Sequence, residues 1–159
     1  MKKILITGAN GYIGARLSAY LSEHFSITAL CYPNKPNDLL WQRKMTEIIV
    51  GDIRDKTTLD TISQKQFDVV IHLISLDHRQ SKDNPNHVAS VNVQPTWNLL
   101  ENFCQKNTEK FIYFSTIHVY GKIPKTVIKE EFPTSPGTIY GLTHLLSENL
   151  VNYYNNTSD

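Results

Sequence analysis

Charge of one sign is what this chain most lacks. Its 16 lysines and arginines stand against 15 aspartates and glutamates, a formal net charge of +1. Binding to a phosphate backbone needs a clustered basic excess, so no nucleic-acid partner is expected. Cysteine is nearly missing as well. Cys31 and Cys104 sit at no metal-ligand or redox spacing, and the six histidines make no Cys/His cluster at ligand intervals. No metal is therefore expected, and both thiols are read as reduced and buried. Long apolar runs are absent: none approaches the roughly 18 residues that cross a bilayer, so no membrane partner is expected. Met1-Lys2-Lys3 followed by Ile4-Leu5-Ile6 faintly imitates a secretory leader, but that run stops at Thr7-Gly8. A cytoplasmic protein is the expectation. The chain also lacks internal repeats and low-complexity blocks.

What is present suits one domain rather than two: 159 residues, 40% of them hydrophobic, are enough for a single core. Short β-branched runs alternate with longer amphipathic stretches, the pattern of a parallel sheet with crossover helices. Five strands are predicted, over Lys3–Thr7, Ile27–Tyr32, Thr46–Val50, Asp68–Ile74 and Lys110–Ser115. Their apolar residues run on without alternating, which implies burial on both faces. Ile13, Leu17, Tyr20 or Leu21, and Phe25 recur at helical spacing between the first two strands. A weaker helix is predicted over Asp55–Lys65. A long one is predicted over Asn86–Lys106, kinked or restarted at Pro95, which has no N–H to donate. After a loop rich in Pro, Lys and Gly over Gly121–Gly137, a last helix starts at Ile139 and carries Leu142, Leu145, Leu146 and Leu150. The polar tail from Asn155 to Asp159 is expected to fray.

The first strand runs straight into Thr7-Gly8-Ala9-Asn10-Gly11-Tyr12-Ile13-Gly14, and a helix follows at once. A pyrophosphate approaches backbone only where side chains are absent, and the first helical turn offers unpaired N–H groups and a positive dipole end. Gly8 and Gly11 permit that approach, while Gly14 lets helix pack closely on strand. The spacing is Gly-x-x-Gly-x-x-Gly, a relative of the commoner Gly-x-Gly-x-x-Gly turn, and together with the strand pattern it predicts a Rossmann-type doubly wound α/β fold binding a dinucleotide. An acid ending the second strand would favour NAD, and a nearby cation NADP. The strand ends Ala29-Leu30-Cys31-Tyr32 with no acid, and Lys35 is the nearest cation. That leans slightly to NADP.

Further segments then carry a resemblance. They are Gly51-Asp52-Ile53, Val70-Ile71-His72-Leu73, Val91-Asn92-Val93, the stretch Phe114-Ser115-Thr116-Ile117-His118-Val119-Tyr120-Gly121, and Tyr140-Gly141-Leu142-Thr143-His144 with Glu148. With the glycine turn they resemble, in order and over nearly the whole chain, the extended short-chain dehydrogenase/reductases, the NAD-dependent epimerase/dehydratase family acting on nucleotide sugars. The resemblance implies that Asn10, Tyr12 and Ile13 join the glycines at the cofactor, with Tyr32 and Lys35 beyond the second strand. It implies that Asp52 and Ile53 flank the adenine, that Leu73, Ile74 and Ser75 line the pyrophosphate and ribose side, and that Asn92 supports the site. Read without the family, Asp52 is a capping or loop acid, His72 a core histidine and Asn92 a buried polar residue bonded to backbone.

The resemblance also assigns Thr116 the active-site hydroxyl and Tyr140 the acid/base. A free phenol titrates near about 10, so the family places a lysine one helical turn later to activate it. This chain has His144 there, an imidazole charged in only about a quarter of molecules at pH 7 if unperturbed. Ile74 and Ser75 replace small residues beside the cofactor, where Ile74 threatens to crowd the pyrophosphate, and Pro95 replaces a glycine. Family members run to about twice this length with a C-terminal substrate lobe. The chain thus reads as residues 1–159 of a cofactor domain without that lobe. A sheet cut after five strands is expected to leave an apolar edge beside strand one or five. A homodimer through the helices of Asn92 and Tyr140 is implied. The competing readings are a catalytically impaired NAD(P)-binding regulatory or sensor module, and a remnant without ligand.

Overall fold

Five strands form in the computed structural model, which describes residues 1–82, 84–104, 108–123 and 127–157. They are β1 (Lys3–Thr7), β2 (Ser26–Cys31), β3 (Glu47–Val50), β4 (Val69–His72) and β5 (Lys110–Tyr113), paired in parallel in the order β3-β2-β1-β4-β5. Each lies within two residues of its predicted bounds, because continuous apolar runs can be buried only where helices cover both faces. Along β1 the side chains divide: Ile4 and Ile6 enter one core cluster with Ile27, Ala29, Cys31, Ile71 and Trp41, while Leu5 enters the other with Leu30, Val70, Ile62, Leu99 and Phe103. The edges of the sheet are β3 and β5. β1 lies at the centre, so the expectation of a bare edge beside strand one is corrected; at β5 Ile112 and the following Phe114 are exposed.

Helix α1 (Tyr12–Leu21) buries Gly14 and Ser18, whereas Ile13 and Tyr20 face outward. Leu17, Leu21 and Phe25 of the predicted inward face pack on the core, while Ile13 turns away from it, since Gly14 must meet the strand and successive helical residues lie about 100° apart. A short helix the sequence reading missed, α2 (Leu39–Lys44), is capped by the Asp38 carboxylate and tied to α1 by the Trp41 indole N–H, donated to Ala15 O and Ser18 Oγ. α3 (Lys56–Ser63) covers the opposite face with Ile62.

The predicted long helix is two, α4 (Pro85–Asn92) and α5 (Gln94–Phe103), divided at Val93. Pro95 lies in the first turn of α5, where its missing N–H costs nothing; as a continuation of α4 it would have left the Val91 carbonyl unbonded. Residues 105 and 106 of that prediction, and 124–126 of the predicted loop, lie outside the described residues. After β5 a 3₁₀ turn forms over Ile117–Tyr120, also missed, and α6 spans Ile139–Thr157. Asn155 to Thr157 are helical rather than frayed, with Thr157 Oγ1 donating to Tyr153 O; the last two residues are outside the described set. Among the described residues no helix is long and apolar enough to cross a membrane, and no group of three metal-ligating side chains gathers. Cys31 is buried and Cys104 only partly so, which corrects the reading of two buried thiols.

Candidate functional site

The ends of β1 and β4 stand side by side, Thr7 in register with His72, while the chain leads from β1 towards one edge of the sheet and from β4 towards the other. A crevice opens at such a switch point. Gly8 lines it in the left-handed region, φ +70°, and a Cβ there would lie 3.2 Å from Ile74 Cγ1. A Cβ on Gly14 would lie 2.2 Å from Gly8 O, so α1 starts this close to β1 only with glycine. Gly11 is the N-cap of α1 and brings no side chain to it, leaving first-turn N–H groups to face the crevice.

Two compartments meet at that turn. The first, about 420 Å³, is lined by Gly8, Asn10, Gly11, Tyr32, Asp52, Ile53, Leu73, Ile74 and Ser75, all predicted, and by Arg54, Leu76, Gln80, His87 and Val91, which were not. The second, about 350 Å³, joins Tyr12, Ile13 and Gly14 to Tyr140 and His144, with Asp77, Phe114 and Ser115 added. Gly8, Gly11, Leu73 and Ser75 line both, so the cleft is continuous across the glycine turn. Its two chambers joined at a bare backbone bend fit a dinucleotide with its pyrophosphate at the bend. Ile74 packs close to Gly8 at that bend.

Three predicted residues lie elsewhere. Lys35 lines a separate open depression with Asn10, Pro33 and Asn37. Asn10 spans the two sites, its amide donating to the Tyr32 and Asn34 carbonyls at 2.9 and 3.0 Å. Asn92 is fully buried behind the wall: its Oδ1 accepts from Leu76 N at 2.8 Å and its Nδ2 donates to Thr143 Oγ1 at 3.1 Å, so it joins the β4 loop to α6. The Thr116 hydroxyl accepts from His118 N at 3.3 Å and caps the 3₁₀ turn, while its neighbour Ser115 lines the second chamber and donates to Glu148. Asp52 is not a free acid. Arg54 Nε meets it at 2.9 Å, and the Arg54 hydrogen bonds hold its pKa below the ordinary carboxylate value, against some desolvation. An acid two residues before an arginine at a strand end is the signal that would have found Arg54.

A model of the NAD dependent epimerase/dehydratase family matches residues 4–159. The chain belongs to that family. It is 31% identical over 158 residues to a putative UDP-glucose 4-epimerase of Methanocaldococcus jannaschii, covering 96% of this chain and 50% of that one. Among solved structures it is similar to the UDP-Glc/GlcNAc 4-epimerase of Campylobacter jejuni, with a TM-score of 0.85, 30% identity, and coverage of 97% of this chain and 49% of the other. It is also similar to a UDP-glucuronic acid 4-epimerase from Bacillus cereus in complex with NAD, with a TM-score of 0.82, 28% identity, and coverage of 98% and 53%. The chain spans about half the length of these relatives.

Among the described residues lining the chamber around Tyr140 there is no lysine or arginine. Imidazoles stand there instead. The His144 ring centroid is 4.4 Å from that of Tyr140, and His118 meets Tyr140 edge-on at 5.3 Å and stacks on His78 at 6.0 Å. His144 is 2% exposed, and burial lowers its pKa from the ordinary value; the Tyr140 carbonyl and Glu148 oppose that shift. Behind it His72, wholly buried, lies 2.6 Å from Thr7 Oγ1 through Nδ1 and has no partner at Nε2. Burial lowers its pKa to about 3, with His144 adding to the shift. His72 is thus the core histidine of the plainer reading.

Proposed function

We propose that this chain is the NAD(P)-binding part of an enzyme that interconverts or dehydrates nucleotide-linked sugars by way of hydroxyl oxidation. One observation carries the reading: a single cleft runs from the glycine turn at the sheet's switch point to the Tyr140 ring. The turn of Gly8, Gly11 and Gly14 would hold the pyrophosphate. Tyr32, Asp52 and Ile53 would take the adenosine side, and Leu73, Ile74 and Ser75 the centre. Bound nicotinamide supplies a hydride acceptor. Tyr140 is the group in the second chamber that would take the proton of a sugar hydroxyl, with the Thr116 hydroxyl one residue beyond the chamber wall. The relatives named as UDP-sugar 4-epimerases support a nucleotide-sugar substrate.

For the cofactor, a lean to NADP rests on the missing acid after β2 and on Lys35 beside Asn10. The NAD-bound relative weighs the other way. Calorimetric titration with NAD and, separately, NADP tests the reading. Micromolar binding of one or both is expected; no heat from either at millimolar concentration would overturn it. A second reading, cofactor binding without turnover, is favoured by the lack of a lysine or arginine among the described residues that line the chamber around Tyr140. Binding of the dinucleotide with no sugar-dependent change in nicotinamide absorbance would select it. The exposed Leu142 and Leu146 of α6 support a homodimer through this helix and α4.

A further inference from the structure

A carbonyl oxygen can only accept. His144 Nδ1 lies 2.9 Å from the Tyr140 carbonyl, so that nitrogen carries a proton, and burial of the ring, 2% exposed, favours the neutral form in which it is the sole proton. The other nitrogen, Nε2, then holds a lone pair. It has no hydrogen-bond partner among the described residues, it is not one of the sealed unpartnered atoms, and the ring lines the second chamber. We propose that His144 serves this cleft as a neutral hydrogen-bond acceptor, with Nε2 receiving a hydroxyl of a ribose or sugar. A lysine at this position would be a charged donor; here the polarity of the contact is reversed. The proposal rests on the cofactor reading above and specifies how one wall of that site recognises its ligand.

The surroundings favour the neutral ring. Desolvation opposes charging, and His118, on the 3₁₀ turn, works in the same direction. His72 of β4 lies close enough to interact and is itself held neutral by burial. Tyr113 of β5 packs at 5.9 Å between ring centroids. Tyr140 and Glu148 flank His144 on its own helix, and Asp77 lines the same chamber. Glu148, the carboxylate that with the Tyr140 carbonyl favours the charged form, is hydrogen-bonded to Ser115.

The test begins on the cofactor-free chain with long-range nitrogen–proton NMR of labelled histidine, His144 being assigned by its loss in His144→Gln. At about pH 7, Nδ1 should be protonated and Nε2 bare; an imidazolium or the opposite tautomer overturns the proposal. NAD and, separately, UDP-glucose are then added. The Nε2 resonance should move with NAD if the ribose donates and with UDP-glucose if the sugar does; saturation by both with no movement overturns it. Lowering the pH from about 7 to about 5 should weaken wild-type binding more than it weakens binding to His144→Gln, which keeps an acceptor that does not titrate. His78, His87 and His118 are common to both proteins and cancel in that comparison. Tighter wild-type binding in acid would instead show a cationic role and overturn the proposal. Should neither NAD nor NADP bind, the cofactor reading fails while the tautomer result still stands or falls by itself.

Discussion

His72 shows what burial does to a titratable side chain when no charge compensates it. An imidazolium in the core would lose its hydration with one nitrogen facing Thr7 and the other facing nothing, so the ring stays neutral in the folded state. Its pKa falls to about 3, against about 6.5 in an unfolded chain. Between those two values the unfolded state binds the proton and the folded state does not. Stability from this residue is therefore complete above about pH 6.5 and declines as the pH falls towards 3, by up to about 1.4 kcal/mol per pH unit. The depressed pKa of His144 acts in the same direction. Urea denaturation at pH 7 and at pH 5 should show the midpoint falling in acid, and His72→Gln should flatten that fall while lowering stability at pH 7. A variant as acid-sensitive as the wild type would assign the loss to other groups.

At the scale of elements, the glycine turn depends on how closely α1 approaches β1. The Cβ of Gly14→Ala would fall inside the Gly8 carbonyl, a contact relieved only by moving the helix away from the strand. We expect that substitution to cost about 1 to 3 kcal/mol, in the range of overpacking, and to weaken dinucleotide binding at least tenfold by displacing the first-turn N–H groups. Thermal unfolding and calorimetry together check this, and unchanged affinity would remove the turn from the binding site. The same logic applies where α6 meets the 3₁₀ turn, since a Cβ on Gly141 would lie 2.4 Å from His118 O. Element bounds were legible because β-branched runs and proline leave few alternatives. α2 was not legible: six residues are too few to display a period, and its anchor, Trp41 on Ala15 and Ser18, is a contact between separate segments.

For the whole molecule, α6 turns Thr143, His144 and Ser147 inward and Leu142 and Leu146 outward, with Leu145 and Leu150 half-buried. Gly141, Thr143, His144 and Ser147 are buried against the β5 and α4 side, while Leu142 and Leu146 are each 45% exposed. Burying such a stripe is worth roughly 25 cal/mol per Å² of apolar area, which favours a second copy of this face. Sedimentation should show a dimer that Leu146→Lys shifts towards monomer without changing the helix content. A monomeric wild type would refute the association.

The sequence by itself determined the strand and helix order, the Rossmann-type sheet, the glycine turn and the family, because periodicity, proline and glycine act on the local chain. Most of the predicted cofactor residues also meet in one cleft, since the ends of parallel strands bring together residues that follow them. The partners those residues make were decided only by the tertiary structure. Arg54 takes the Asp52 carboxylate, Thr116 turns its hydroxyl to a cap, Asn92 stands behind the wall, and His144 gives one nitrogen to backbone while its residue lines the chamber. Charge state and hydrogen-bond polarity depend on burial and on neighbours distant in the chain, and no local pattern encodes either.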